Sequence, residues 1–284
     1  MKKKRSFSLG ILAFLPFAAV VICYEIFPLL QTIGSSFIGK ESQALGLENY
    51  VKIFTTPLYQ RSILNSVVIS LISAAVGLAA AFFGARFIHE SGNRGKKIME
   101  MILNMTSNFS GVPLAFAYMV LMGNTGFLTL IGRRLGIGFF EDFDLYSSSG
   151  LRLVYIYFQI PLATLLLLPA FNGVRKEWRE ASTILQAPAH VYWFRIVLPN
   201  LLPSILGTLS VLFANALAAY ATAYSLVQNN YPLLSLQLTA KYKGDVEIDR
   251  ATGGALSCVL ILLIVATTLI NNALTKRSLN GRER

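Results

Sequence analysis

No charged residue occurs from Ser62 to Ala85, from Met101 to Gly132, from Leu153 to Val174, from Ile196 to Ala240 or from Ala251 to Thr275. A sixth stretch, Phe7 to Ile33, is interrupted only by Glu25. A helix needs about 20 mainly apolar residues to cross a bilayer, and every one of these stretches is long enough. Lipid offers backbone N–H and C=O groups no partner, so such spans must be helical. The chain is therefore expected to be an all-α, polytopic membrane protein. Its six transmembrane helices are expected at roughly 8–31, 63–85, 101–122, 151–171, 201–224 and 251–273. Only 14% of the residues are charged, against about 25% in an ordinary soluble domain.

Charge bias sets the expected orientation. Met1-Lys2-Lys3-Lys4-Arg5 resembles the start of a signal peptide, but the apolar run behind it is too long and ends in no small-x-small site. An uncleaved first helix with a cytoplasmic N-terminus is expected, and six spans then return the C-terminus to the cytoplasm. Inner segments collect Lys2 to Arg5, Arg86, Arg94, Lys96, Lys97, Arg175, Lys176, Arg179, Arg195, Lys276, Arg277, Arg282 and Arg284, 16 of the 25 basic residues. This satisfies the positive-inside rule. It also places the formal charge of +11 along one membrane face, which favours lipid headgroups over nucleic acid as its partner.

The run from Ile196 to Ala240 is too long for one span. Two full spans would put the C-terminus outside, and Gln228-Asn229-Asn230-Tyr231-Pro232 interrupts it. The reading is a span over 201–224 and an external turn with a short re-entrant piece over 225–240. The whole chain, 1–284, reads as one membrane domain. External loops are expected at about 32–62, 123–150 and 225–250, and a cytoplasmic loop at about 172–200. Glu141, Asp142 and Asp144, with Asp245, Glu247 and Asp249, form two outer acidic clusters that suit a docking surface.

Little supports catalysis. Cys23 and Cys258 lie inside spans, and His89 and His190 lie in inner loops, with no metal-ligand spacing. No Gly-rich phosphate loop ending in Gly-Lys-Ser/Thr occurs. No catalytic or metal-binding residues are expected, and no cofactor in this chain. If ATP drives it, another chain binds the ATP and its Mg.

Polar residues inside spans are the candidates for a solute pathway. The third span holds Asn104-Met105-Thr106-Ser107-Asn108-Phe109-Ser110-Gly111-Val112-Pro113, where Pro113 is expected to kink or break the helix. Broken helices near the midplane expose backbone groups to a solute. Asn108, Ser110, Pro113, Gln159, Asn215, Tyr220 and Thr222 are the candidates, with Glu25 as the one ionisable residue in a span. Tyr155, Tyr157 and Pro161 share the fourth span with Gln159. Interhelical packing is the competing role for all of them.

From Arg179 to Ile205 the chain reads REASTILQAPAHVYWFRIVLPNLLPSI. At helical spacing Ala181, Ile184, Leu185 and Pro188 share one face, and Lys176, Arg179 and Glu180 another. A short amphipathic helix of this kind suits a groove on a partner. The alternative is a connector on the inner leaflet, anchored by Trp178, Tyr192, Trp193 and Phe194.

Glu180-Ala181-Ser182, followed by Gln186-Ala187, Ile196-Val197-Leu198-Pro199 and Pro203, resembles the EAA loop of bacterial ABC-importer permeases. Gly46-Leu47-Glu48-Asn49-Tyr50 and Asn65 are similar to family positions around the second span. Two departures stand out: Ser182 replaces the second Ala, and Gln186 replaces the usual Gly. The resemblance implies a permease in the cytoplasmic membrane that pairs with a second permease, two ATPase subunits and an external substrate-binding protein. It implies coupling to the ATPase through Glu180, Ala181, Ser182, Ile184, Leu185, Gln186 and Ala187. The chain looks most like the branch carrying polyamines, ferric iron, sulfate, thiamine or aminoethylphosphonate, and next like sugar-type permeases. The rival reading is a stand-alone channel or secondary carrier.

Overall fold

A computed structural model describes residues 14–39, 44–138, 143–228, 230–243 and 248–280, the last of these without side chains beyond Lys276. The basic residues Lys2 to Arg5, Lys40, Arg282 and Arg284, the acidic residues Glu141, Asp142, Asp245 and Glu247, and the Arg277 side chain lie outside the described residues.

Among the described residues, six helical segments are long and apolar enough to cross a membrane. They are α1 (Phe14–Ser36), α3 (Pro57–Glu90), the pair α5 (Gly111–Met122) and α6 (Phe127–Leu135), α7 (Ser148–Asn172), α9 (Ala189–Ala218) and α12 (Arg250–Asn280). Shorter helices link them: α2 (Glu48–Thr55), α4 (Asn93–Ser107), α8 (Lys176–Ile184), α10 (Ala221–Val227) and α11 (Leu234–Lys243). Among the described residues there is no strand, only an isolated bridge between Ile38 and Leu45.

The expected spans need correction at three places. Helix α3 runs beyond 63–85 at both ends; at 1.5 Å per residue it is roughly 50 Å long, more than the ~30 Å hydrocarbon core requires. The expected third span, 101–122, is interrupted between Ser107 and Gly111, and the qualifying apolar stretch is Gly111–Leu135. The fifth begins earlier and stops at Ala218, with α10 resuming at Ala221.

Two prolines shape their helices in the same way. Pro28 and Pro199 have no N–H to give to the carbonyl four residues back. Each helix widens just ahead of its proline: Phe27 donates to Ile22 O and Leu198 to Trp193 O, five residues back. Such wide turns satisfy the backbone without ending the helix.

The chain divides into two compact units, residues 1–60 with 237–261, and residues 61–236 with 262–284. In the first, Asn49 is buried and donates to Ser36 O and Ile38 O, both at 2.9 Å, tying α2 to the end of α1. Gly254 lets α12 approach α1: a Cβ there would stand 2.7 Å from Thr32 O. Asp249 caps α12, accepting from Thr252 N at 3.0 Å, and pairs with Lys52 at 3.3 Å.

The core of the second unit gathers around α7. Leu151, Val154, Tyr155 and Phe158 meet Leu114 and Ala115 of α5, Ala216 of α9, and Ala223 and Leu226 of α10. Lipid gives helices no hydrophobic reason to associate, so close fit decides the contacts. Gly77 supplies one such fit, since a Cβ there would lie 2.7 Å from Gln159 Cβ.

Candidate functional site

The loop expected at 172–200 is shorter than that. It consists of residues 173–188 around α8, because 189–200 already belong to α9. Ser182 is buried, and its hydroxyl bonds Arg179 O at 2.8 Å. Glu180, Ala181 and Pro188 are exposed, as are Ile184 (82%) and Leu185 (79%) at the tip. The apolar face of this amphipathic helix therefore points away from the rest of the chain.

Gln186 closes the helix. Its φ is +51°, in the left-handed region, where glycine is at ease and other residues are strained. Gln186 N donates to Thr183 O at 3.0 Å and Ala187 N to Ser182 O at 2.9 Å. This is the Schellman ending, which satisfies carbonyls that the helix end would otherwise leave free. The position that usually holds Gly thus keeps a glycine-type turn.

The second feature is a pair of helix interruptions brought together. At the first, Asn108 Nδ2 donates to Asn104 O at 2.8 Å and Ser107 Oγ to Asn104 O at 3.1 Å, so these polar side chains finish α4. Gly111 restarts the chain with φ +71°. Pro113 does not break the helix. It occupies the first turn of α5, where a missing N–H costs nothing. At the second interruption, Ala219 has left the helix and its carbonyl accepts from Tyr155 OH at 2.7 Å. Thr222, buried just beyond, lies with its Oγ1 3.3 Å from Gly111 O and donates to it.

A profile of the family described as binding-protein-dependent transport system inner membrane component matches residues 73–279. That stretch holds most of the chain, including both interruptions and the α8 loop. The chain belongs to this permease family. The probable sulfate transport system permease protein cysT of Helicosporidium sp. is 23% identical over 257 residues, covering 88% of this chain and 90% of that one. The PotC homologue of the spermidine/putrescine transport system in Mycoplasma pneumoniae is 29% identical over 207 residues, 73% of this chain and 68% of that protein. A subunit of a bacterial alginate ABC transporter, solved in complex with an alginate pentasaccharide-bound periplasmic protein, shares the fold with TM-score 0.75, 17% identity and 96% coverage of both chains.

Six apolar helices and this membership make the permease a multi-pass inner-membrane protein. Of its candidate pathway residues, Asn108, Ser110, Tyr220 and Thr222 lie at the two interruptions, and Asn215 is exposed one turn before the second. Gln159 is fully buried instead: its Nε2 donates to Leu212 O at 2.7 Å, and its Oε1 has no hydrogen-bond partner among the described residues. Glu25 is not buried at all; it sits exposed on the wide turn of α1, in the other compact unit. Asp249, expected on a docking surface, is buried as the cap of α12, while Asp144 stays exposed. No group of His, Cys, Asp and Glu that suits a metal occurs among the described residues.

Reading the sequence placed Arg86 among the inner basic residues but gave it no partner, and it did not single out Phe171 or Asn172. The Arg86 guanidinium lies 4.1 Å over the Trp193 ring, a cation–π contact worth about 0.5–1 kcal/mol at a half-exposed site. No motif links the two positions, which are far apart in sequence.

Proposed function

We propose that this permease is a membrane subunit of an ATP-driven importer and that α8 docks onto a cytoplasmic ATPase. The observation that carries the reading is α8 itself, with Ile184 and Leu185 turned outward beside Glu180 on a loop closed by a tight turn. An outward apolar face suits lipid or a partner's groove alike; the charged ridge of Lys176, Arg179 and Glu180 beside it and membership of the permease family favour the groove. Both termini and the α8 loop are cytoplasmic, in line with the positive-inside distribution. Two ATPase subunits bind ATP and Mg, and this chain binds no cofactor. A second permease subunit, of different sequence, completes the pathway. An external binding protein delivers the solute.

The solute is a small polar one, such as a polyamine, ferric iron or another anion or cation. The sulfate and polyamine names of the two relatives point to opposite charges. The interruptions hold the neutral Asn108, Ser110 and Tyr220, with Asn215 one turn before the second. Selection by charge then falls to the binding protein.

The test is purification of the tagged permease from its own membrane, unaltered and as Ile184→Asp or Glu180→Ala. ATPase subunits should travel with the unaltered chain, and Ile184→Asp should release them. Spermidine-loaded and sulfate-loaded binding proteins are then added, and the one that stimulates ATP hydrolysis names the solute. If no ATPase accompanies the unaltered chain, a stand-alone carrier replaces this reading.

A further inference from the structure

The α8 loop is fastened at both of its ends, and both fastenings reach α3. At the entry, Phe171 in the last turn of α7 packs on Phe82, with ring centroids 5.3 Å apart, and on His89 at 6.2 Å. Next to it, Asn172 Oδ1 accepts from Lys96 Nζ at 2.8 Å, at the start of α4, and lies 3.4 Å from His89 Nδ1. At the exit, Trp193 in the wide turn of α9 carries the Arg86 guanidinium at 4.1 Å and meets Phe82 edge-on at 6.4 Å. Glu90 holds Arg86 from the side at 3.2 Å. Phe82 is thus common to both fastenings. Further along, α3 and α9 part around an apolar groove of about 360 Å³, lined by Leu78, Phe83, Ile205 and Leu209 among others. The contact at Trp193 is therefore where the exit of the loop is gripped.

We infer that Arg86 and Trp193 form a latch that makes α8 and α3 move as one body, so that displacement of the loop is delivered to α3. The inference rests on the docking of α8 proposed above. A helix hung from two short connectors would swivel on its own when pushed. Fastening both connectors to one long helix removes that freedom. Arg86 and Trp193 are positioning residues: they touch neither solute nor nucleotide, and they act through α3.

The test uses the purified complex with its ATPase subunits, in lipid nanodiscs. Spin labels are placed at Glu177→Cys on α8 and Leu64→Cys at the far end of α3, in a Cys23→Ser, Cys258→Ser background. Both label sites are exposed. The probe is AMP-PNP with Mg²⁺. With the latch intact, the distance between the labels should hold to within about 2 Å when nucleotide binds, as for a rigid body. In Trp193→Ala it should shift or broaden on nucleotide binding, while the ATPase still co-purifies. Arg86→Gln should behave like Trp193→Ala, and Arg86→Lys should restore the fixed distance. The Arg86 side chain is 40% exposed, so this pair tests the latch without disturbing the core. A nucleotide-dependent distance in the unaltered complex, or a fixed one in both Trp193→Ala and Arg86→Gln, overturns the latch alone. Absence of ATPase from the unaltered complex overturns the docking reading and the latch with it.

Discussion

The Tyr155 hydroxyl donates to the Ala219 carbonyl at 2.7 Å, at the point where α9 stops being a helix. Four residues along α7, Gln159 donates to Leu212 O at the same distance. The two side chains hold α9 on either side of its last turns. The Ala219 carbonyl has lost its helical partner, and Tyr155 replaces it.

Tyr155→Phe should therefore destabilise the permease without changing its packing. Removing one partner of a buried hydrogen bond costs about 1–3 kcal/mol. The thermal unfolding midpoint in detergent should fall by several degrees, at about 2–4 °C per kcal/mol for a chain of this size. An unchanged midpoint would mean that the interruption at Ala219 holds without Tyr155.

Gly77 and Gly207 make an opposed pair. A methyl at Gly77 would meet Gln159 Cβ at 2.7 Å, whereas one at Gly207 meets nothing within 4 Å. Gly77→Ala should cost about 1–3 kcal/mol by overpacking. Gly207→Ala should be neutral or stabilising by up to about 1 kcal/mol, through helix propensity. Unfolding midpoints of the two variants check this, and equal effects would refute the close crossing of α3 and α7.

Helix number and type were legible because lipid forbids charge and unpaired backbone, and both constraints are written into composition. The α8 loop was legible because its apolar and charged residues repeat at helical spacing. The interruption in the third span was expected from Pro113, which lies three residues beyond it; the break falls at Asn108 to Ser110, inside the polar stretch that the sequence marked. The interruption at Ala219 left no local signal: Ala218, Ala219 and Tyr220 favour a continued helix, and a hydroxyl on another helix decides otherwise. Asp249 was misread for a similar reason. Burial and pairing depend on neighbours remote in sequence, such as Lys52 for Asp249.

Asp249 gives the first unit a pH dependence. Burial raises the pKa of its carboxyl group, but hydrogen bonds from Thr252 and the Lys52 ammonium outweigh that, and the net shift is below the ordinary value of 3.8. A carboxyl group whose folded pKa is depressed contributes stability above its unfolded pKa, and loses that contribution as pH falls through the folded one. Asp249→Ala should therefore be less stable than the unaltered chain at pH 7, by about 1–2 kcal/mol for the lost helix cap and pairing. The gap should narrow as pH drops below 3.8. A gap independent of pH from 7 down to the acid limit would show that the charge plays no part.

The turn after α8 makes the last prediction. Gln186 holds φ +51°, where a Cβ costs about 1–2 kcal/mol. Glycine removes that strain but is freer in the unfolded chain, which returns about 0.4–1 kcal/mol. Gln186→Gly should therefore stabilise the end of α8 by up to about 1 kcal/mol, whereas Gln186→Val, β-branched at the same φ, should weaken it. Gln186 is exposed, so neither change disturbs packing. The readout is hydrogen exchange at the amide of the next residue, Ala187, which donates to Ser182 O across the turn. Exchange at Ala187 should slow up to roughly five-fold in Gln186→Gly, since about 1.4 kcal/mol is tenfold, and quicken in Gln186→Val. Equal rates in all three chains would mean that the turn is not strained and that glutamine replaces glycine there at no cost.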